Sequence, residues 1–92
     1  MWRINPLLEL HWRDWGFDSV VFEAASGGTY LFGPLPAAVL SCFEEGQEAL
    51  STIVRSIAED LPSVPEADLE RLVLESVEEF SRLGWLEPVQ LP

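Results

Sequence analysis

Few side chains in this 92-residue sequence combine a reactive type with a useful spacing. His11, with Asp14 close by in sequence, offers the beginning of an acid–base pair. General acid–base catalysis also needs a substrate pocket or an oriented nucleophile, and neither is indicated, so His11 reads as a structural histidine on the outer side of a strand. Cys42 is the single cysteine; it lies between apolar neighbours at mid-helix and reads as core. One cysteine also excludes an internal disulfide framework and any Cys-pair metal knuckle. Glu44, Glu45 and Glu48 gather at the end of a helix, without the oxygen-rich loop spacing that calcium requires, and read as a solvated acidic face. Ser26-Gly27-Gly28 has neither the strand-to-helix elbow of a hydrolase nor the length of a phosphate loop. Arg71 and Arg82 could hold a partner's carboxylate, but helix-surface pairs with acids at helical spacing, such as Glu78 with Arg82, are the better reading. No catalytic, metal or cofactor site is expected.

What remains is a feature of the main chain. In Ser26–Phe43 a glycine pair is followed by the short apolar run Thr29-Tyr30-Leu31-Phe32, then by the breakers Gly33 and Pro34, then by a helix start. No later segment reads as a strand that could pair with this one. A free strand edge presents unpaired N–H and C=O groups to any extended peptide, so it is either protected or used.

The elements that position this edge follow from periodicity. Met1–Pro6 reads as an irregular lead-in, and Leu8–Arg13 alternates apolar and polar as a half-buried strand does. Asp14–Asp18 is a connection, and Ser19–Ala25 is a second strand rich in β-formers. Gly27-Gly28 suits a two-residue hairpin loop, since both positions tolerate positive φ. That loop would pair Glu23 with Phe32, Ala24 with Leu31 and Ala25 with Tyr30. Val20, Phe22, Ala24 and Leu31 would then share one face, and Val21, Ala25, Tyr30 and Phe32 the other. Whether Tyr30 and Phe32 look into a groove or into the core is open at this level.

After Pro34 the pattern is helical. Pro36 stands in the first turn of a helix that Gly46 ends. Ser51 is a candidate N-cap for a second helix, with Ile53, Val54, Ile57, Ala58 and Leu61 at period 3.6. Pro65 opens a third and longest helix with stripe Leu69, Leu72, Val73, Val77, Phe80 and Leu83, ended by Gly84. Leu74 falls off that stripe among charged residues, where it could line a groove. Trp85-Leu86 is expected to fold back on the core, and 86–92 to be a short tail. The sum is one α+β domain over residues 1–92: a three-stranded antiparallel sheet, then three helices, like a winged helix with its hairpin moved to the front.

Charge narrows the partners. Sixteen acids oppose five arginines and no lysine, for a net charge of −11. Nucleic-acid affinity comes largely from cations that neutralise phosphates, so a duplex would be repelled, and anionic membranes likewise. No apolar run is long enough to span a bilayer. The absence of a secretory signal pattern and the single cysteine fit a reducing cytoplasm.

The order of these motifs resembles the PqqD-like family: hairpin, Gly-Thr-Tyr-Leu-Phe strand, Pro-Ala-Ala-Val-Leu helix start, short second helix, and a last helix ending Arg-Leu-Gly-Trp-Leu-Glu-Pro. Within it the sequence looks most similar to the PqqD-type component of the HPr-rel-A system. The similarity runs over about residues 8 to 88. It implies a non-catalytic recognition element that presents a leader peptide to a modifying enzyme, here one related to HPr kinase. It further implies main-chain contacts at Gly28, Thr29, Tyr30, Leu31 and Phe32, and a helix wall between Leu69 and Phe80. On the wall, Leu69, Arg71, Val73, Leu74 and Val77 are the candidate contacts. The alternative is a structural subunit that docks to a larger enzyme or dimerises through the same surface, so both monomer and homodimer stay open.

Overall fold

The computed structural model describes residues 2–16, 18–46 and 49–89. Its elements run β1 (Trp2–Ile4), β2 (Leu10–Trp15), β3 (Asp18–Glu23), β4 (Gly28–Phe32), α1 (Pro34–Glu44), α2 (Leu50–Asp60), α3 (Glu66–Arg82) and β5 (Leu86–Pro88). The antiparallel sheet β2-β3-β4 followed by three helices is the expected α+β arrangement. Phe17 in the β2–β3 connection, Glu48 of the acidic cluster and residues 90–92 of the tail lie outside the described residues.

The hairpin differs from expectation in its loop. Glu23 pairs with Gly28, Phe22 with Thr29, Val21 with Tyr30, Val20 with Leu31 and Ser19 with Phe32. The loop is therefore the four residues Ala24–Gly27, and Ala24 and Ala25 leave the ladder. Glu23 causes this. Its carboxylate accepts hydrogen bonds from the Ala25 and Ser26 N–H groups, both at 2.8 Å, and from the Ser26 hydroxyl. Gly27 takes φ +74°, while Gly28 is an ordinary strand residue. Gly28 leaves room for a side chain: a Cβ there would come within 2.9 Å of the far end of the Tyr30 ring, which would have to shift. The pairing is displaced by four residues, an even number, so each side chain keeps its expected face. Val21, half-buried Tyr30 and half-buried Phe32 turn inward; Val20, Phe22 and Leu31 turn outward.

A second sheet, not expected from the sequence, joins the ends of the domain. β1 pairs antiparallel with β5, Trp2 opposite Pro88 and Ile4 opposite Leu86. Arg3 Nε reaches Glu87 at 2.9 Å, and the Asn5 N–H donates to the Trp85 carbonyl at 2.8 Å. The lead-in is thus a strand, and Leu86–Pro88 is its partner rather than part of a tail.

α1 begins at Pro34, directly behind Gly33, whose extended backbone is the N-cap. α2 begins at Leu50 with Ala49 as cap, so Ser51 lies inside the helix and makes no capping hydrogen bond. α3 ends in a Schellman motif: Trp85 N–H bonds the Phe80 carbonyl at 2.9 Å, Gly84 N–H bonds Ser81, and Gly84 takes φ +80°. The core sits between the sheet's inner face and the helices, around Val21, Val39, Leu40, Ile53, Leu69, Val73, Val77 and Phe80. Each such side chain contributes about 1.5–3 kcal/mol by leaving water. Among the described residues no helix is long and apolar enough to cross a membrane.

Candidate functional site

β4 stands at one edge of its sheet; among the described residues no strand pairs with its other side. Which of its groups face outward follows from the hydrogen-bond phase. The Ala24 N–H donates to the Glu9 carbonyl at 3.0 Å, so residue 24 spends its main-chain groups on the β2 side. Antiparallel strands alternate strictly between neighbours, so residues 22 and 20 also serve β2, leaving residues 23, 21 and 19 to serve β4. Their partners Gly28, Tyr30 and Phe32 are therefore satisfied within the sheet. Thr29 and Leu31 direct their N–H and C=O groups to the open edge.

The inner face of β4 is locked to the end of α3 by four aromatic rings. Tyr30 meets Trp85 edge-on at 4.8 Å, and Phe32 meets Phe80 edge-on at 5.3 Å. Trp85 stacks on Phe80 at 5.8 Å. Edge-on and stacked pairs at these spacings stabilise by about 0.5–1.5 kcal/mol beyond burial. Tyr30 and Phe32 thus belong to the core side, and the rim of Phe32 also borders a groove. That groove, about 330 Å³, is lined by Phe32, Leu35, Leu72, Glu75, Glu79 and Phe80, with Pro36 and Ser76 completing it. It runs between β4, the first turn of α1 and α3. Its floor is apolar and its α3 rim carries two carboxylates.

The helix residues anticipated as the wall are distributed otherwise. Leu69, Val73 and Val77 are fully buried in the core and offer no surface to a ligand. They form the centre of the apolar stripe, which the body of the domain covers; a wall must come from the margin of the stripe. Leu72 and Ser76 are that margin, and Glu75 and Glu79 are the polar flank beside it. Ser76 is buried with its hydroxyl donating to the Leu72 carbonyl at 3.1 Å. Period-3.6 patterning hides it, since serine scores as polar. Leu74 is 44% exposed but borders a separate hollow with Leu50, Val54 and Glu70, between α2 and α3. Arg71 is exposed and pairs with Glu75 at 3.4 Å and Asp68 at 4.0 Å. Arg82 pairs with Glu79 rather than with Glu78.

The remaining chemical candidates do not assemble. His11 is exposed on the outer sheet face, with Nε2 3.2 Å from Glu9 rather than near Asp14, and its ring lies 6.2 Å from Phe22. Burial pushes the Cys42 thiol up from its ordinary range, and the Glu45 and Asp60 carboxylates push it further, so the nucleophilic thiolate is disfavoured. Burial likewise raises the Glu44 carboxyl. Among the described residues no group of three or more His, Cys, Asp or Glu converges as metal ligands would.

No protein-family profile and no curated protein matches this sequence. Among solved structures the fold is shared with TbiB1, determined in complex with the TbiA(beta) leader peptide, at a TM-score of 0.75 and 18% identity. The correspondence spans 97% of this chain and 99% of that one, so it runs over nearly the whole fold. The class defined here is an α+β domain in which the open β4 edge lies beside an apolar groove bordered by the last helix.

Proposed function

We propose that this protein is a non-catalytic, PqqD-like peptide-recognition module, which captures an extended leader segment and presents it to a modifying enzyme. The segment adds as a strand to β4, bonding to the outward groups of Thr29 and Leu31, and sets its inner side chains in the groove against α3. The observation that carries this reading is the coincidence of an open edge with an apolar groove, on a fold shared with a protein solved with a leader peptide. Main-chain bonds along the edge supply affinity and the groove supplies selectivity. The similarity to the HPr-rel-A component favours an HPr kinase-related enzyme as the recipient, and a cytoplasmic setting. The contact set becomes the main-chain groups of Thr29 and Leu31 with the groove side chains Phe32, Leu72, Glu75 and Glu79, over the buried Ser76 and Phe80. Arg71 joins it at the rim; Leu69, Val73 and Val77 support it from beneath.

The test is Leu31→Pro. An edge strand tolerates proline where the N–H points to solvent, so the fold should survive while an outward donor disappears. Peptide selected from a random display library on the wild-type domain should lose binding to this variant, with its helical circular dichroism unchanged. Retained affinity would refute strand addition. Proline at Tyr30 tests less, because its N–H is used within the sheet.

A second reading, docking or dimerisation through the sheet, is favoured by one observation: the outer face exposes Leu31 by 63% and Phe22 by 40%, with Val20 beside them. Leu31→Ser separates the two. It removes the apolar side chain from the outer face but keeps the edge N–H, so it should weaken docking more than it weakens peptide capture, and Phe22→Ser, at a residue off the edge, should weaken docking alone.

A further inference from the structure

Resting on the peptide-capture reading, we infer that the groove selects by charge: its ligand carries an apolar side chain flanked, two residues away, by Lys or Arg. The groove floor of Phe32, Leu35 and Leu72, lying over the buried Phe80, favours an apolar group, since a polar one would be left unpaired there. Glu75 and Glu79 stand on its rim, one helical turn apart, or roughly 6 Å along the axis. In a strand added to β4, side chains two residues apart share a face and lie about 6.5–7 Å apart. When one inner-face side chain fills the groove, the next is thus within reach of the rim carboxylates.

The rim acids already have partners, Arg71 on Glu75 and Arg82 on Glu79. Those pairs are exposed, and exposed pairs are weak enough to be shared with or exchanged for a ligand cation. From Asp68 to Arg82 the acids Asp68, Glu70, Glu75, Glu78 and Glu79 outnumber the two arginines, so this stretch of the helix is net negative. The whole-chain charge of −11 acts in the same direction and steers a basic segment toward the site. An acidic segment would meet like charge both at long range and at the rim.

A display library of random linear peptides, selected on the wild-type domain at low ionic strength, tests this. Enriched sequences should share an apolar residue with Lys or Arg two positions away. Changing that basic residue to Glu in a synthetic copy should weaken binding at least about fivefold, and added salt should shrink the difference. The double variant Glu75→Gln/Glu79→Gln should still bind but lose the preference. Enrichment without basic bias, in peptides that Leu31→Pro still abolishes, would overturn the charge rule and leave peptide capture standing. Enrichment of no peptide would overturn both.

Discussion

At the scale of single residues, the site depends on how Trp85 and Glu23 hold β4. Trp85 touches Tyr30, Phe32 and Phe80 at once, so it couples the edge strand to the helix that walls the groove. Trp85→Ala should cost about 3–5 kcal/mol in urea unfolding, and should weaken peptide capture even where the domain stays folded. Glu23 fixes the turn before β4. Hydrogen bonds from the Ser26 hydroxyl, Ser26 N–H and Ala25 N–H hold its carboxyl below the usual glutamate range. A depressed value means the charged form is the one stabilised. The benefit is full above the ordinary glutamate range and disappears as pH falls through the lower folded-state value. Wild type should therefore exceed Glu23→Gln in stability near neutrality, and the gap should close in acid; a constant gap across the titration would contradict this. The role of Glu23 was not legible in the sequence. Gly27-Gly28 announces a tight turn, but a carboxylate that collects three donors from the following loop outweighs the glycine signal and lengthens the turn to four residues.

At the scale of elements, legibility tracked length and parity. The three-stranded sheet and three helices were readable because each has several periods of alternation or a full stripe. The sheet faces survived a mistaken loop because the displacement was even. β1 and β5 were not readable: three residues hold no measurable period, and their pairing joins the two ends of the described chain. For α3 the stripe showed which residues are apolar, though not which margin borders a groove. Leu69, Val73 and Val77 lie in the core, while Leu72, Glu75 and Glu79 border the groove. The α3 terminus carries its own prediction. Gly84 holds positive φ in the Schellman turn that aims Trp85 at β4, so Gly84→Ala should destabilise by about 1 kcal/mol or somewhat more, read as a lower thermal midpoint. An unchanged midpoint would mean that the turn does not need the left-handed conformation.

At the scale of the whole molecule, charge governs. A net charge of −11 opposes association of copies, while the apolar patch on the outer sheet face favours it. As pH falls toward the isoelectric value near 4.1 the repulsion vanishes, and light scattering should show association that Leu31→Ser reduces. The central claim, that β4 receives a peptide through two particular residues, can be read amide by amide. Hydrogen exchange followed by NMR should find the Thr29 and Leu31 amides fast in the free protein and Tyr30 and Phe32 slow. Adding a library-selected peptide should slow Thr29 and Leu31 together. Amides at 29 and 31 that stay fast under saturating peptide, with protection appearing on another surface, would contradict the account.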